Sequence, residues 1–266
     1  MSQAGFRILR IPLRLWEGVW APRVVVDGWR VSETGSMLGS EVLFNPAVLL
    51  AMWAAGILGS GAVVARLRIT GAGYLWLTVG TAVLAGGGAW LFDPGPVAVA
   101  ALLIAAVAGS VGRKSHVAGA LMAVSAAAFF LVAARGSFAI SALTGSVALG
   151  AITSGMLLGH WYLVDPRIPR RPLQHLAVAG AAGVVLDAAA VLGPTIPPAD
   201  SAVLAVVSLG LAAVSCLLMV AVWFALRYPS YSGVMAATGL SYLAILTCLG
   251  SLTMARVVAE GALALR

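Results

Sequence analysis

The chain has 266 residues, of which 61% are hydrophobic and only 9% are charged, and its mean hydropathy is +1.03. Soluble domains carry about a quarter charged residues, so this composition excludes a soluble globular enzyme and a disordered chain. The net charge of +7 in so apolar a chain indicates membrane topology and contact with lipid headgroups rather than with nucleic acid. The sequence therefore predicts an all-α polytopic integral membrane protein.

The N-terminal arm, residues 1–42, has a pattern of its own. Arg7, Arg10, Arg14 and Glu17 recur at helical spacing, and apolar and aromatic residues occupy most of the positions between them. This pattern is typical of an amphipathic helix that lies in the membrane interface. Two roles fit such an arm, either docking a partner subunit or resting on the lipid headgroups.

Residues 43–262 form the predicted transmembrane bundle. A helix needs about 20 mostly apolar residues to cross the hydrocarbon core, and eight segments approach or exceed that length. They are 45–65, 70–92, 95–112, 116–134, 138–164, 173–193, 201–226 and 231–258. The third and fourth segments meet in a tight turn at Gly112 to Ser115, and seven crossings would result if that pair were re-entrant. We predict eight helices.

The charges between the segments predict the orientation. The short loops after segments 2, 4 and 6 contain a single basic residue, Arg135, whereas those after segments 1, 3, 5 and 7 are rich in them. The latter are Arg66, Arg68, Arg113, Lys114, Arg167, Arg170, Arg171 and Arg227. Since positively charged loops stay in the cytoplasm, we expect a cell-membrane protein with both termini outside.

The densest polar stretch runs from Gly159 to His175. His160 ends segment 5 and His175 begins segment 6, while His116 begins segment 4. With eight crossings, all three histidines lie toward the basic side of the bundle. Two imidazoles on neighbouring helices can ligate the iron of haem b axially, which makes His160 and His175 the predicted metal ligands.

Other residues in and near this stretch, together with Arg113 on the same side, extend the haem hypothesis, and some of them allow two alternatives to it. Gly155 and Gly159 would leave room for a flat macrocycle, and Arg170, Arg171 and Arg113 would pair with its propionates. Alternatively, His160, Tyr162 and the arginines would bind a quinone headgroup, because histidine exchanges protons near neutral pH. A third interpretation is purely structural, with an aromatic belt and a topology signal at a helix end.

Asp187 is the only acidic residue well inside a predicted helix. An intramembrane carboxylate is costly, so it indicates a proton or ion site by default. The alternative is that Asp187 reaches toward the near surface or pairs with Arg135. Arg256 and Glu260, spaced i and i+4 at the end of segment 8, are expected to form an exposed interfacial pair.

These features favour a membrane subunit of a respiratory-type electron-transfer complex that binds haem b or quinone and docks other membrane subunits. With so little chain outside the membrane, it would be a non-catalytic subunit of an oxidoreductase rather than an enzyme by itself. One alternative is a small proton- or ion-coupled transporter that uses Asp187. Another is a structural or assembly subunit without a cofactor.

Overall fold

The protein is an α-helical bundle in a computed structural model that describes residues 45–111, 115–195 and 201–264. All regular secondary structure in these residues is helical, in eight elements. They are α1 (Pro46–Leu67), α2 (Ala72–Phe92), α3 (Pro96–Ser110), α4 (Ser115–Arg135), α5 (Ala139–Trp161), α6 (Arg171–Leu192), α7 (Ala202–Ala225) and α8 (Tyr231–Ala264). Each predicted segment contains one helix, which confirms the all-α polytopic class. The predicted arm, 1–42, lies outside the described residues, as do Gly112 to Lys114.

The helix starts follow from local chemistry. The Asn45 side chain accepts a hydrogen bond of 2.9 Å from the backbone N–H of Ala47, and Pro46 takes the first helical position. Pro96 likewise opens α3, and Pro172 lies in the first turn of α6. Proline suits these positions because the first N–H groups of a helix have no intrahelical partner.

Seven of the eight described helices are long and apolar enough to cross a membrane. The exception is α3, whose 15 residues extend about 22 Å. It packs along α4, where the Ser125 hydroxyl donates a hydrogen bond of 2.7 Å to the carbonyl of Ala101. The two helices form a hairpin. The shortest described helix is thus one arm of the hairpin for which the sequence predicted the tightest turn.

Helices α1 and α5 form the centre of the bundle. They cross at Gly56 and Gly150, where a Cβ on either residue would overlap the backbone of the other helix. The close approach lets polar side chains bridge the helices: Trp53 Nε1 donates to Thr153 Oγ1 at 2.8 Å. Small residues and such hydrogen bonds hold helices together where lipid supplies no hydrophobic drive between them.

Contacts between helix ends define two faces of the bundle. Arg68 at the end of α1 hydrogen-bonds His116 at the start of α4, and Trp161 at the end of α5 covers Gly73 at the start of α2. We call this end, which carries the arginine-rich loops, the basic face. At the opposite face, Gly136 after α4 packs on Val48 in the first turn of α1.

Candidate functional site

An apolar groove of about 510 Å³ lies between α1, α4, α5 and α6. Its walls are aliphatic and aromatic, and it opens on the side of the bundle. Two of the residues that line it are glycines of α1, which leave space where a side chain would otherwise project into the groove. The residues that shape it include Gly56, Gly59, Val63, Phe130, Val147 and Leu176. Cavities of this size and character are typical of sites for small apolar molecules.

His175 is the one titratable residue among the described groove-lining residues. It lies in the second turn of α6, one turn after Pro172, so it marks the end of the groove nearest the basic face. Its ring has no hydrogen-bond partner among the described residues. By contrast, the groove hydroxyls of Ser60 and Ser146 already bond to backbone carbonyls within their own helices. His175 is therefore the polar group that the groove offers to a ligand.

The other two histidines occupy different places on the basic face. His116 is exposed and shares a hydrogen bond with the Arg68 guanidinium. His160 is exposed in the last turn of α5 and does not line the groove. Within the described residues, no group of three or more His, Cys, Asp or Glu side chains could hold a metal ion.

The space predicted beside His160 is already occupied. A Cβ on Gly159 would overlap the Thr238 side chain of α8, and a Cβ on Gly155 would lie 3.6 Å from the Leu176 Cβ of α6. Gly159 therefore serves close helix packing, and the side chains of Thr238 and Leu176 occupy the room that we expected for a macrocycle beside these glycines.

Arg170 and Tyr162 join two loops of the basic face. The Arg170 guanidinium donates to the backbone carbonyls of residues 228–230 and, at 3.4 Å, to the Tyr162 hydroxyl. It also lies 5.8 Å from the Tyr162 ring centroid, as in a cation–π contact. These contacts tie the α5–α6 loop to the α7–α8 turn. Arg171, exposed at the start of α6, makes no such contact within the described part of the chain.

Asp187 is 1% exposed and lies near the opposite face, five residues before the end of α6. Its Oδ1 accepts hydrogen bonds from Arg256 Nη2 at 2.9 Å and from Thr144 Oγ1 at 3.0 Å, and its Oδ2 accepts one from Arg256 Nη1 at 3.1 Å. The charge is therefore paired in a bidentate manner, the strongest arrangement of guanidinium and carboxylate.

The structure corrects two expectations for these charges. Arg256 is only 6% exposed, so the predicted exposed pair with Glu260 is wrong. Asp187 pairs with Arg256 rather than with Arg135, which is exposed at the end of α4. The physical reason is the orientation of α8, which points Arg256 inward toward α5 and α6.

Sequence reasoning missed the role of Gly145. A Cβ there would lie 2.8 Å from Arg256 Nη2 and 3.1 Å from Asp187 Oδ1. Glycine on α5 therefore makes the space in which the ion pair sits. The available signal was an intramembrane acid and an arginine at similar depths on helices that run in the same direction.

Comparisons with protein-family models, curated proteins and solved structures give no match to this chain.

Proposed function

We propose that the chain is a membrane subunit of an electron-transfer complex and that it binds a quinone in the groove between α1, α4, α5 and α6. The observation that carries this proposal is an apolar groove with one titratable side chain, His175, at the end nearest the basic face. Docking of partner subunits is part of the proposal, because a chain with so little mass outside the membrane needs a partner to exchange electrons with soluble substrates.

The chemistry of a quinone matches that arrangement. Its isoprenoid tail is apolar and flexible, so it fits walls built from Val63, Phe130 and Val147. Its carbonyl oxygens accept hydrogen bonds and take up protons on reduction. Histidine supplies both functions near neutral pH, and the His175 ring is free of other partners in the described chain.

Haem b is less well supported than quinone. Two axial ligands must face one another across a flat ring. His175 lines the groove, whereas His160 does not, and the glycines beside His160 are packed against Thr238 and Leu176. Arg170, expected to meet a propionate, is already bonded to backbone carbonyls.

A second candidate, a proton- or ion-coupled transporter, rests on the burial of Asp187. The pairing with Arg256 leaves both carboxylate oxygens occupied. Transport through Asp187 would therefore require the ion pair to open during each cycle, which makes this candidate the weaker one.

We further propose the cell membrane as the location, with the basic face in the cytoplasm and both termini outside. The arginines of the loops after α1, α5 and α7 support this orientation by the positive-inside rule. The quinone headgroup would then be bound near the cytoplasmic surface.

Quinone binding by the purified full-length chain in lipid nanodiscs tests the proposal. A short-tailed quinone is titrated while the protein's tryptophan fluorescence is followed, and co-purified quinone is quantified after extraction. Gly59→Leu fills the groove without meeting backbone, since the nearest atom to a Cβ at Gly59 is 4.0 Å away. We expect it to abolish binding. His175→Gln should weaken binding by up to about tenfold, the value of one hydrogen bond, because glutamine can still donate a hydrogen bond but cannot exchange a proton as histidine does.

Matched variants serve as controls. Gly80→Leu adds the same side chain at an exposed position of α2 with open space around it, and His160→Gln removes the histidine outside the groove. Both should bind as the unmodified protein does. Equal loss in Gly59→Leu and Gly80→Leu would contradict the groove site. A haem absorption band sensitive to His160→Gln and His175→Gln would replace the quinone by haem, and a colourless, quinone-free protein would leave a structural subunit.

A further inference from the structure

A cluster of three charged side chains lies toward the opposite face, and none of the three lines the groove. It consists of Asp187 on α6 and of Arg256 and Glu260 on α8, with Glu260 one turn beyond Arg256 toward the end of the helix. Around the ion pair, α5 contributes Thr144 and α1 contributes Met52, whose Sδ lies 3.3 Å from Arg256 Nη2. We call these three charged residues the acid–arginine cluster.

The hydrogen bonds of the cluster are incomplete in one place. The Nη atoms of Arg256 donate to Asp187 and to the carbonyls of Leu252 and Ser141. Its Nε–H is buried and has no partner among the described residues, and the same is true of Oε2 of Glu260. A spare donor and a spare acceptor thus occur on one helix at i and i+4, a spacing at which side chains can meet.

The charges of the cluster do not balance when all three groups are ionised. Arginine keeps its charge in proteins, and Asp187, which accepts three hydrogen bonds, is the carboxylate that balances it. Glu260 is half-buried, and it would then add a second negative charge whose inward oxygen, Oε2, has no donor among the described residues. An unpaired ionised carboxylate in an apolar environment is costly and tends to neutralise instead.

Among the described residues, no second cation lies close enough to the acid–arginine cluster to balance the charge of Glu260. Asp93 and Arg135, which are at the same face, lie exposed at the ends of α2 and α4. The neighbouring parts of α1, α5 and α7 supply thioether, hydroxyl and apolar side chains. The proton is therefore the species that can neutralise Glu260.

We infer that the acid–arginine cluster is a site for one exchangeable proton, held on Glu260 while Arg256 is paired with Asp187. When Asp187 takes up a proton and so loses its charge, Arg256 turns its free Nε–H to Glu260, which releases its own proton to the opposite face and becomes the new counter-charge. The cluster holds one proton before and after this step, so one proton is released for each one taken up. This site does not depend on quinone binding.

Carbodiimide labelling of the full-length protein in nanodiscs tests this inference, because a hydrophobic carbodiimide adds to protonated carboxylic acids and not to carboxylates. Peptide mass spectrometry should locate the adduct at Glu260. Its yield should fall about tenfold per pH unit once the group is mostly ionised, as for a single carboxyl group. Glu260→Gln should remove the adduct.

Asp187→Asn is the decisive variant, because it leaves Glu260 in place. We expect the Glu260 adduct to be lost, since Glu260 ionises to balance Arg256. Asp93→Asn, which neutralises an exposed acid at the same face, should leave the yield unchanged. An infrared carbonyl band of a protonated carboxylic acid, present in the unmodified protein and absent in Glu260→Gln, gives a second readout that needs no reagent access. An adduct on Asp187, unchanged Glu260 labelling in Asp187→Asn, or the absence of both adduct and band would overturn the inference.

Discussion

At the scale of single residues, the buried contacts of Arg256 are the ones that cost most to break. The Arg256 guanidinium contacts residues of α1, α5 and α6 as well as a carbonyl of its own helix. Replacing a buried ion pair by apolar residues is often neutral, but removing one partner leaves an uncompensated buried group. The Asp187–Arg256 pair is therefore a device that fixes how these helices meet, more than a source of net stability.

Arg256→Met should destabilise the protein by about 3–5 kcal/mol, because it leaves Asp187 buried without its cation. Chemical denaturation in detergent, followed by circular dichroism, measures the effect. Arg256→Lys should recover part of the loss, since lysine restores the charge but not the bidentate geometry. The double variant Asp187→Leu/Arg256→Met should be more stable than Arg256→Met. Equal stability of Arg256→Met and the unmodified chain would contradict a structural ion pair.

At the scale of helices, backbone approach decides the packing. Gly56 on α1 and Gly150 on α5 leave no room for a Cβ, whereas Gly80 on α2 faces open space. Glycines in the interiors of apolar helices therefore differ in whether a side chain would fit in their place, and the neighbouring residues in the sequence do not reveal which case applies. Ser208 and Ser251, whose hydroxyls each donate to the other's carbonyl at 2.9 Å, fasten α7 to α8 in a similar manner.

Alanine substitutions separate these two kinds of glycine. Gly150→Ala should lower stability, because its methyl group would overlap the α1 backbone at Gly56. Gly80→Ala should raise stability by up to about 1 kcal/mol, the difference in helix propensity. Thermal unfolding of both variants in the same detergent measures the two signs. An equal loss of stability in both variants would contradict this explanation. It would mean that replacing glycine by alanine destabilises these helices in general, wherever the glycine lies, and not through overlap at the α1–α5 crossing.

At the scale of the whole molecule, the helix ends sort into two faces with different chemistry. The basic face carries three histidines and the clamp in which Arg170 binds the carbonyls of residues 228–230. The opposite face has the acid–arginine cluster. The proposed quinone site lies near one surface and the inferred proton site near the other, an arrangement that a subunit linking electron transfer to proton movement would need.

Cysteine accessibility in intact cells tests this two-faced topology. In a chain whose native cysteines are replaced by alanine, Asp93→Cys and Pro194→Cys, both at exposed positions, should react with a membrane-impermeant maleimide. Ser110→Cys and Asp165→Cys should react only after the cells are opened, because Ser110 ends α3 and Asp165 follows α5, both at the basic face. The reverse pattern would invert the orientation. Reaction of Ser110→Cys with neither protocol would indicate that the α3–α4 hairpin does not cross.

The sequence by itself determined the class of protein and the positions of its helices. Each helix is a local feature, a run of apolar residues between breaks such as Asp93-Pro94-Gly95, so most of the helix bounds can be predicted to within a few residues. The exception is the end of α8, predicted at 258 and found at Ala264. The gathering of His116, His160 and His175 at one side of the bundle also follows from alternating crossings alone. Arg171 and Glu260 could be placed near helix ends for the same reason.

Only the tertiary structure decided which side chains meet. Helices that are apolar nearly all round carry little information about which side faces inward, so the inward direction of Arg256 and the outward direction of His160 could not be predicted. The groove beside His175 likewise depends on how closely α1 and α5 approach at Gly56 and Gly150. Rotation about each helix axis is set by packing between distant segments, and no local pattern in the chain encodes it.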